Sequence, residues 1–299
     1  MVHAHAHSKE KRMAEITSVV VIGAGTMGSQ IALQTAYAGR HQVAVVDSSS
    51  QQLEKARALH QHLTRRAVER GRLTEERATA ALGRIAGTID LAGAVAGADL
   101  VIEAVFEDLD AKRQVWSQLA AHARPDALLA SNSSTIAISR LVDRVPGPER
   151  CCNMHFFHPV TVMQLCEVVR GPLTSDDTVR AAMDFVRSIE RVPVLVNKEI
   201  HGFIVNRILF AAAEEAFRLL EGGYASVEDI DTAVKKGLNW PMGPFEVLDF
   251  SGLDVFYGAL EDRRRLEGGP GAPAALRERV ERGELGRKSG RGFYDHTSR

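Results

Sequence analysis

The chain has 299 residues, with 37 Lys and Arg against 38 Asp and Glu and a formal net charge of −1. That length suits one large domain or two, and the interspersed charges leave no basic field to steer nucleic acid or a membrane surface. A content of 45% apolar and 25% charged residues is ordinary for a globular protein, and no apolar run approaches the ~20 residues of a membrane-spanning helix. The cysteines Cys151, Cys152 and Cys166 form neither a Cys-x-x-Cys pair nor an even framework, which fits a reducing, cytoplasmic setting. Residues 1–15, opening MVHAHAHSKEKRM, lack the apolar stretch of a secretory signal and read as a disordered leader. His3, His5 and His7 alternate there, and a metal site is the less favoured reading of them.

Val19 to Ile22 is a continuous β-branched run, the pattern of a strand buried on both faces. Gly23-x-Gly25-x-x-Gly28 follows, with Thr26 and Met27 inside it, and then a helical stretch ending near Gly39. Gly23 lets the chain turn, Gly25 lets backbone approach a pyrophosphate, and Gly28 lets helix and strand pack closely. The helix start then offers N–H groups and partial positive charge to the phosphates. Alone the glycines are a weak signal. Here a second strand, QVAVVD, ends in Asp47, about 20 residues on, where a carboxylate would accept hydrogen bonds from a ribose 2′-hydroxyl. Ser48, Ser49 and Ser50 follow with no arginine to receive a 2′-phosphate, so the reading is NAD rather than NADP.

Residues 51–82 are charged and helical, with a break at Gly71. DLVIEAV (99–105) is another buried strand, 111–123 an amphipathic helix, and ALLASNS (127–133) a strand running into a turn. Strands separated by helices imply a parallel sheet covered on both faces, with ligands at the carboxyl ends of its strands. Glu107 and Ser134 lie just past such ends. From about Gly202 the pattern turns helical, with SVEDIDTAVKKG capped by Ser226 and Asp229, and WPMGPFEVLDFSGLDVF reading as a loop before a further helix. The expectation is a Rossmann-type doubly wound α/β domain over 16–199 and an all-helical C-terminal domain over 200–299.

CCNMHFFHP and VMQLCEVVR read as short strands around a turn at Val160-Thr161. In a hairpin centred on Thr161, Glu167 stands across the ladder from His155. His155 and His158 would point to opposite faces while the strand lasts, which argues against a shared metal site. A histidine held by a carboxylate is the form of a general base, and it is also a common structural pair. Beside a nicotinamide site the base is the better reading.

The chain from about Ser18 to its end resembles the NAD-dependent 3-hydroxyacyl-CoA dehydrogenases, in particular the stand-alone 3-hydroxybutyryl-CoA type. The likeness rests on VIGAGTMG, IEAVFEDLDAK, SNSST, MHFFHPVTVMQLCEVV, GFIVNR, WPMGPFE and GRKSGRGFYD, in matching order and spacing. It implies reversible oxidation of an (S)-3-hydroxyacyl-CoA within fatty-acid metabolism, with His155 as base and Glu167 as its partner. It further implies that Ser134 and Asn206 line the substrate pocket and that Glu107, Lys112, His158 and Lys288 contact NAD. Arg70 would meet coenzyme A phosphates, no metal is implied, and the second domain would form a homodimer. Three departures stand out: His158 where most relatives have Asn, His201 where Pro is usual, and SNSST for the commoner SNTSS. Two alternatives stand beside this reading. One is a dehydrogenase of a free hydroxy or sugar acid such as L-gulonate; the other is a non-catalytic NAD(H)-binding protein of the kind found among lens crystallins.

Overall fold

The computed structural model describes residues 15–268 and 270–297, so the three leader histidines lie outside the described residues. The chain divides into two compact units after Phe203, just before the first long helix of the second unit. Among the described residues no helix is long and apolar enough to cross a membrane.

The first unit is built on one eight-stranded sheet in the order β3-β2-β1-β4-β5-β6-β7-β8. Its strands are β1 (Ser18–Ile22), β2 (Gln42–Val46), β3 (Ile85–Thr88), β4 (Leu100–Glu103), β5 (Leu128–Ser131), β6 (Cys151–Phe156), β7 (Leu165–Val169) and β8 (Val192–Val196). All pairs from β3 across to β6 are parallel, β7 runs antiparallel to β6, and β8 runs parallel to β7. The helices are α1 (Thr26–Tyr37), α2 (Ser50–Glu69), α3 (Glu75–Gly83), α4 (Leu91–Ala96), α5 (Leu109–His122) and α6 (Asp176–Ser188).

Side chains alternate faces along a strand, so the unbroken apolar runs feed two cores. Val19 and Val21 join Ile31 and Phe185 in one, and Val20 and Ile22 join Trp116 and Leu119 in the other. The chain leaves β1 toward β2 on one side and reaches β4 on the other, which opens a crevice at the carboxyl ends of β1 and β4.

The second unit is helical: α7 (Val205–Glu221), α8 (Val227–Gly237), α9 (Pro244–Ser251), α10 (Leu253–Glu267) and α11 (Ala274–Glu281). Its core gathers Phe210, Phe217, Phe245, Leu248, Phe256 and Leu276. The expected loop from Trp240 is short, because Pro244 opens α9 at a position where a missing N–H costs nothing. Glu246 accepts from the Gly243 N–H at 3.0 Å, and Asp231 accepts from the Phe245 and Glu246 N–H groups, so three donors of that helix start are satisfied. At α8, Ser226 accepts from the Asp229 N–H at 3.1 Å as expected, while the Asp229 carboxylate takes the Ser226 hydroxyl rather than its N–H.

Candidate active site

The glycine turn after β1 has the shape its residues require. Gly23 has φ +102°, and a Cβ there would sit 2.6 Å from the Ala104 carbonyl oxygen at the end of β4. A Cβ on Gly28 would run into the Gly23 carbonyl. Gly25 faces open space, with nothing within 4 Å of where its Cβ would be, and it leads into α1 through exposed Thr26 and half-buried Met27. The first-turn N–H groups of α1 therefore border an open cradle, the form that takes a pyrophosphate.

Asp47 stands at the end of β2 beside this turn. One carboxylate oxygen accepts from the Ala24 N–H and the other from the Ser49 N–H, each at 2.9 Å. Each oxygen retains a second lone pair for a ribose hydroxyl. The residues thus fit a dinucleotide at its phosphate and ribose positions.

The hairpin register is the expected one: His155 pairs with Glu167 across β6 and β7. His155 Nδ1 lies 2.8 Å from Glu167 Oε2, with His155 6% and Glu167 0% exposed. A carboxylate at this position accepts from Nδ1–H, and in that tautomer a neutral imidazole presents its lone pair at Nε2. Phe157 and Phe203 flank the ring, at centroid distances of 4.4 and 5.6 Å. Asn132, at the end of β5, accepts from the Phe156 N–H at 2.9 Å and so fixes the end of β6 next to the histidine.

The turn after β5 is gathered by Glu107. Its Oε1 accepts from the N–H groups of Ser134 and Thr135 at 3.0 and 2.9 Å, and from the hydroxyls of Ser133 and Thr135. Burial pushes the Glu107 carboxyl up, but the Lys112 charge and the Ser133 and Thr135 hydrogen bonds outweigh it and hold the group below its usual range. The carboxyl edge of β1, β2, β4, β5 and β6 thereby collects the glycine turn, Asp47, Glu107, Ser134 and His155.

This is the arrangement of a known family. The sequence profile described as "3-hydroxyacyl-CoA dehydrogenase, NAD binding domain" matches residues 18–200, and "3-hydroxyacyl-CoA dehydrogenase, C-terminal domain" matches residues 202–296. The chain belongs to the 3-hydroxyacyl-CoA dehydrogenase family. It is 40% identical over 285 residues to the 3-hydroxybutyryl-CoA dehydrogenase of Bradyrhizobium diazoefficiens, covering 95% of this chain and 96% of that one. It is 39% identical to the 3-hydroxyadipyl-CoA dehydrogenase of Escherichia coli, of which it spans 60%. The solved (S)-3-hydroxybutyryl-CoA dehydrogenase of Ralstonia eutropha superposes with a TM-score of 0.89 at 37% identity, covering 94% of this chain and 99% of that one. As a family member the protein is an oxidoreductase with an NAD-binding domain.

The other residues implied by the family likeness fall in different surroundings. Lys112 is 1% exposed and paired with Glu103 and Glu107. His158 is exposed, and it lies beyond the end of β6 at Phe156, so strand alternation does not reach it. Burial around its ring nonetheless lowers its pKa. Arg70 is exposed at the C-cap of α2. Asn206 is the second residue of α7, and Lys288 lies in a 3₁₀ turn paired with Asp254 at 2.5 Å; both belong to the second unit. Among the described residues no group of three or more His, Cys, Asp or Glu could hold a metal ion. Sequence reading missed Glu103 and Asn132, although a carboxylate ending the buried run LVIE was an available signal.

Proposed function

We propose that the protein catalyses the reversible NAD-dependent oxidation of a short-chain (S)-3-hydroxyacyl-CoA, 3-hydroxybutyryl-CoA, to the 3-oxoacyl-CoA, with His155 as general base and Glu167 as its partner. The observation that carries this reading is the buried His155–Glu167 pair at 2.8 Å beside the dinucleotide crevice. NAD when bound supplies the hydride acceptor; the residues at the glycine turn and Asp47 would hold it. His155 Nε2 takes the proton of the 3-hydroxyl as the C3 hydride departs, and Glu167 stabilises the imidazolium that forms. In the reductive direction the same imidazolium returns the proton. Ser134 and Asn206 are proposed to hydrogen-bond the reacting oxygen or the thioester, and Arg70 a coenzyme A phosphate.

The short chain is supported by relatives named for 3-hydroxybutyryl-CoA. The test is the rate of NADH oxidation with acetoacetyl-CoA, with longer and dicarboxylic 3-oxoacyl-CoAs, and with free 3-oxo acids. A larger kcat/KM for acetoacetyl-CoA is expected. Preference for a free acid would replace the reading, and NADH binding without turnover of any of them would favour a non-catalytic role.

A further inference from the structure

One side of α1 joins the phosphate cradle to the loop that follows β6. Thr26, Gln30 and Gln34 recur at four-residue spacing and so fall along that side, and both glutamines are buried. Gln30 Oε1 accepts the Val160 N–H at 3.0 Å. The Val160 carbonyl takes Arg191 Nε at 3.0 Å and Nη2 at 2.9 Å. The same Nη2 reaches Gln34 Oε1 at 2.5 Å, while Gln34 Nε2 donates to the Ile189 carbonyl at 2.8 Å. Both backbone groups of Val160 are therefore tied to one helix, the N–H directly and the carbonyl through the guanidinium.

Arg191 is placed by the way α6 ends. The Arg191 N–H bonds to the Val186 carbonyl and the Glu190 N–H to that of Arg187, a Schellman-type stop. Glu190 takes the left-handed conformation there at φ +58°, where glycine is the usual residue. A non-glycine residue keeps that conformation only where its surroundings over-determine it, and the Glu190 carbonyl accepts Arg191 Nη1 at 2.7 Å. The loop so held supports the proposed base. Phe157, three residues before Val160, has its ring centroid 4.4 Å from that of His155. The Val162 and Met163 N–H groups close on the Pro159 carbonyl at 2.9 and 2.8 Å, and Val160 is buried in the core that contains Ile31 and Phe185.

We infer that Arg191 and Gln30 are positioning residues for the reaction, holding residues 157–163 to α1 so that the phosphate cradle and His155 keep a fixed spacing. The inference rests on the proposed role of His155 as base. Hydride leaves C3 as the proton leaves its oxygen, so hydride acceptor and base must meet one substrate together. A helix that borders the cradle at its first turn and holds the loop of the base along one side sets that spacing before a ligand arrives. The shape of the arginine matters as well as its charge. Nε and Nη2 meet one carbonyl together, whereas a lysine ammonium is a single point of contact.

The test compares Arg191→Met, Arg191→Lys and Gln30→Met in the full chain. Each is measured for kcat and KM with acetoacetyl-CoA and NADH, for NADH Kd by fluorescence, and for amide hydrogen exchange. Arg191→Met should lower kcat about tenfold or more, since about 1 Å of misplacement can cost a hundredfold. Both KM values and the NADH Kd should stay within about threefold, and exchange should quicken over residues 157–163 but not in β1. Gln30→Met should act in the same direction, and Arg191→Lys should recover part of the lost kcat. Faster loop exchange with an unchanged kcat would mean that the loop does not position the base, and would overturn the inference. So would a lower kcat with unchanged loop exchange, or quickening across β1 as well, which marks a merely structural role. A tenfold weaker NADH Kd with kcat intact would assign these residues to cofactor affinity and also overturn it. Should Arg191→Met not fold, Arg191→Lys and Gln30→Met decide by the same criteria. A wild-type protein that turns over no acyl-CoA fails the proposed function itself, whereas any of the overturning results in an active wild type's variants fails the positioning alone.

Discussion

Replacing Glu167 by Gln removes a buried counter-charge while leaving the side chain's size and one hydrogen bond in place. Its carboxylate oxygen lies 2.8 Å from His155 Nδ1, with both residues buried. Unit charges about 4 Å apart at an effective dielectric of about 20 attract by roughly 4 kcal/mol. That stabilisation is present only when His155 is an imidazolium, so it belongs to the transition state and not to the bound ground state. Its loss corresponds to roughly a thousandfold in rate. A second effect acts in the same direction: the glutamine can turn its NH2 toward Nδ1, which places the imidazole proton on Nε2 and removes the base. The assay is the initial rate of NADH oxidation with acetoacetyl-CoA, with circular dichroism to establish that the variant is folded. A kcat lower by about 10³, with both KM values within about threefold of wild type, is expected. A folded Glu167→Gln enzyme within tenfold of the wild-type kcat would refute the assignment of Glu167 as partner of the base.

His155→Asn keeps polarity but removes the proton acceptor, and kcat should fall by at least about 10². His158→Asn should leave kcat within about fivefold and act mainly on the KM for NADH, because His158 is exposed and lies beyond the end of β6, away from the His155–Glu167 pair; equal damage from both variants would reassign the base. The Asp47 carboxylate, fixed beside the glycine turn, should favour NADH over NADPH by at least about tenfold in kcat/KM, and equal values would remove Asp47 from cofactor choice. A homodimer through the second unit is proposed from the exposed Ile208, Tyr224, Val255 and Leu266 together with the family likeness. Light scattering of a folded sample at micromolar concentration should give twice the chain mass, and a monomer would count against it.

Local chemistry along the chain was enough for the parts of this protein that local chemistry builds. Val19–Ile22 followed by Gly23, Gly25 and Gly28 could be read as strand, turn and helix because a glycine pattern and a β-branched run act over neighbouring residues. The facing of His155 and Glu167 was legible too, since a hairpin turn sets cross-strand register by counting from its centre. Less was legible where a segment's identity comes from its neighbours in space. The strand β3, IAGT, is a short edge strand with no apolar run, and in β8, VPVLV, Pro193 interrupts a run that would otherwise mark a strand. The place of His158 depended on where β6 stops, at Phe156, whose N–H is taken by Asn132 just past the end of the neighbouring β5. Lys112 in DLDAK looks like any solvated helix lysine until β4, β5 and α5 close around it. Burial of a charge is a property of the assembled fold. Only the tertiary structure could therefore show that Glu103, with Glu107, is the partner of its ammonium.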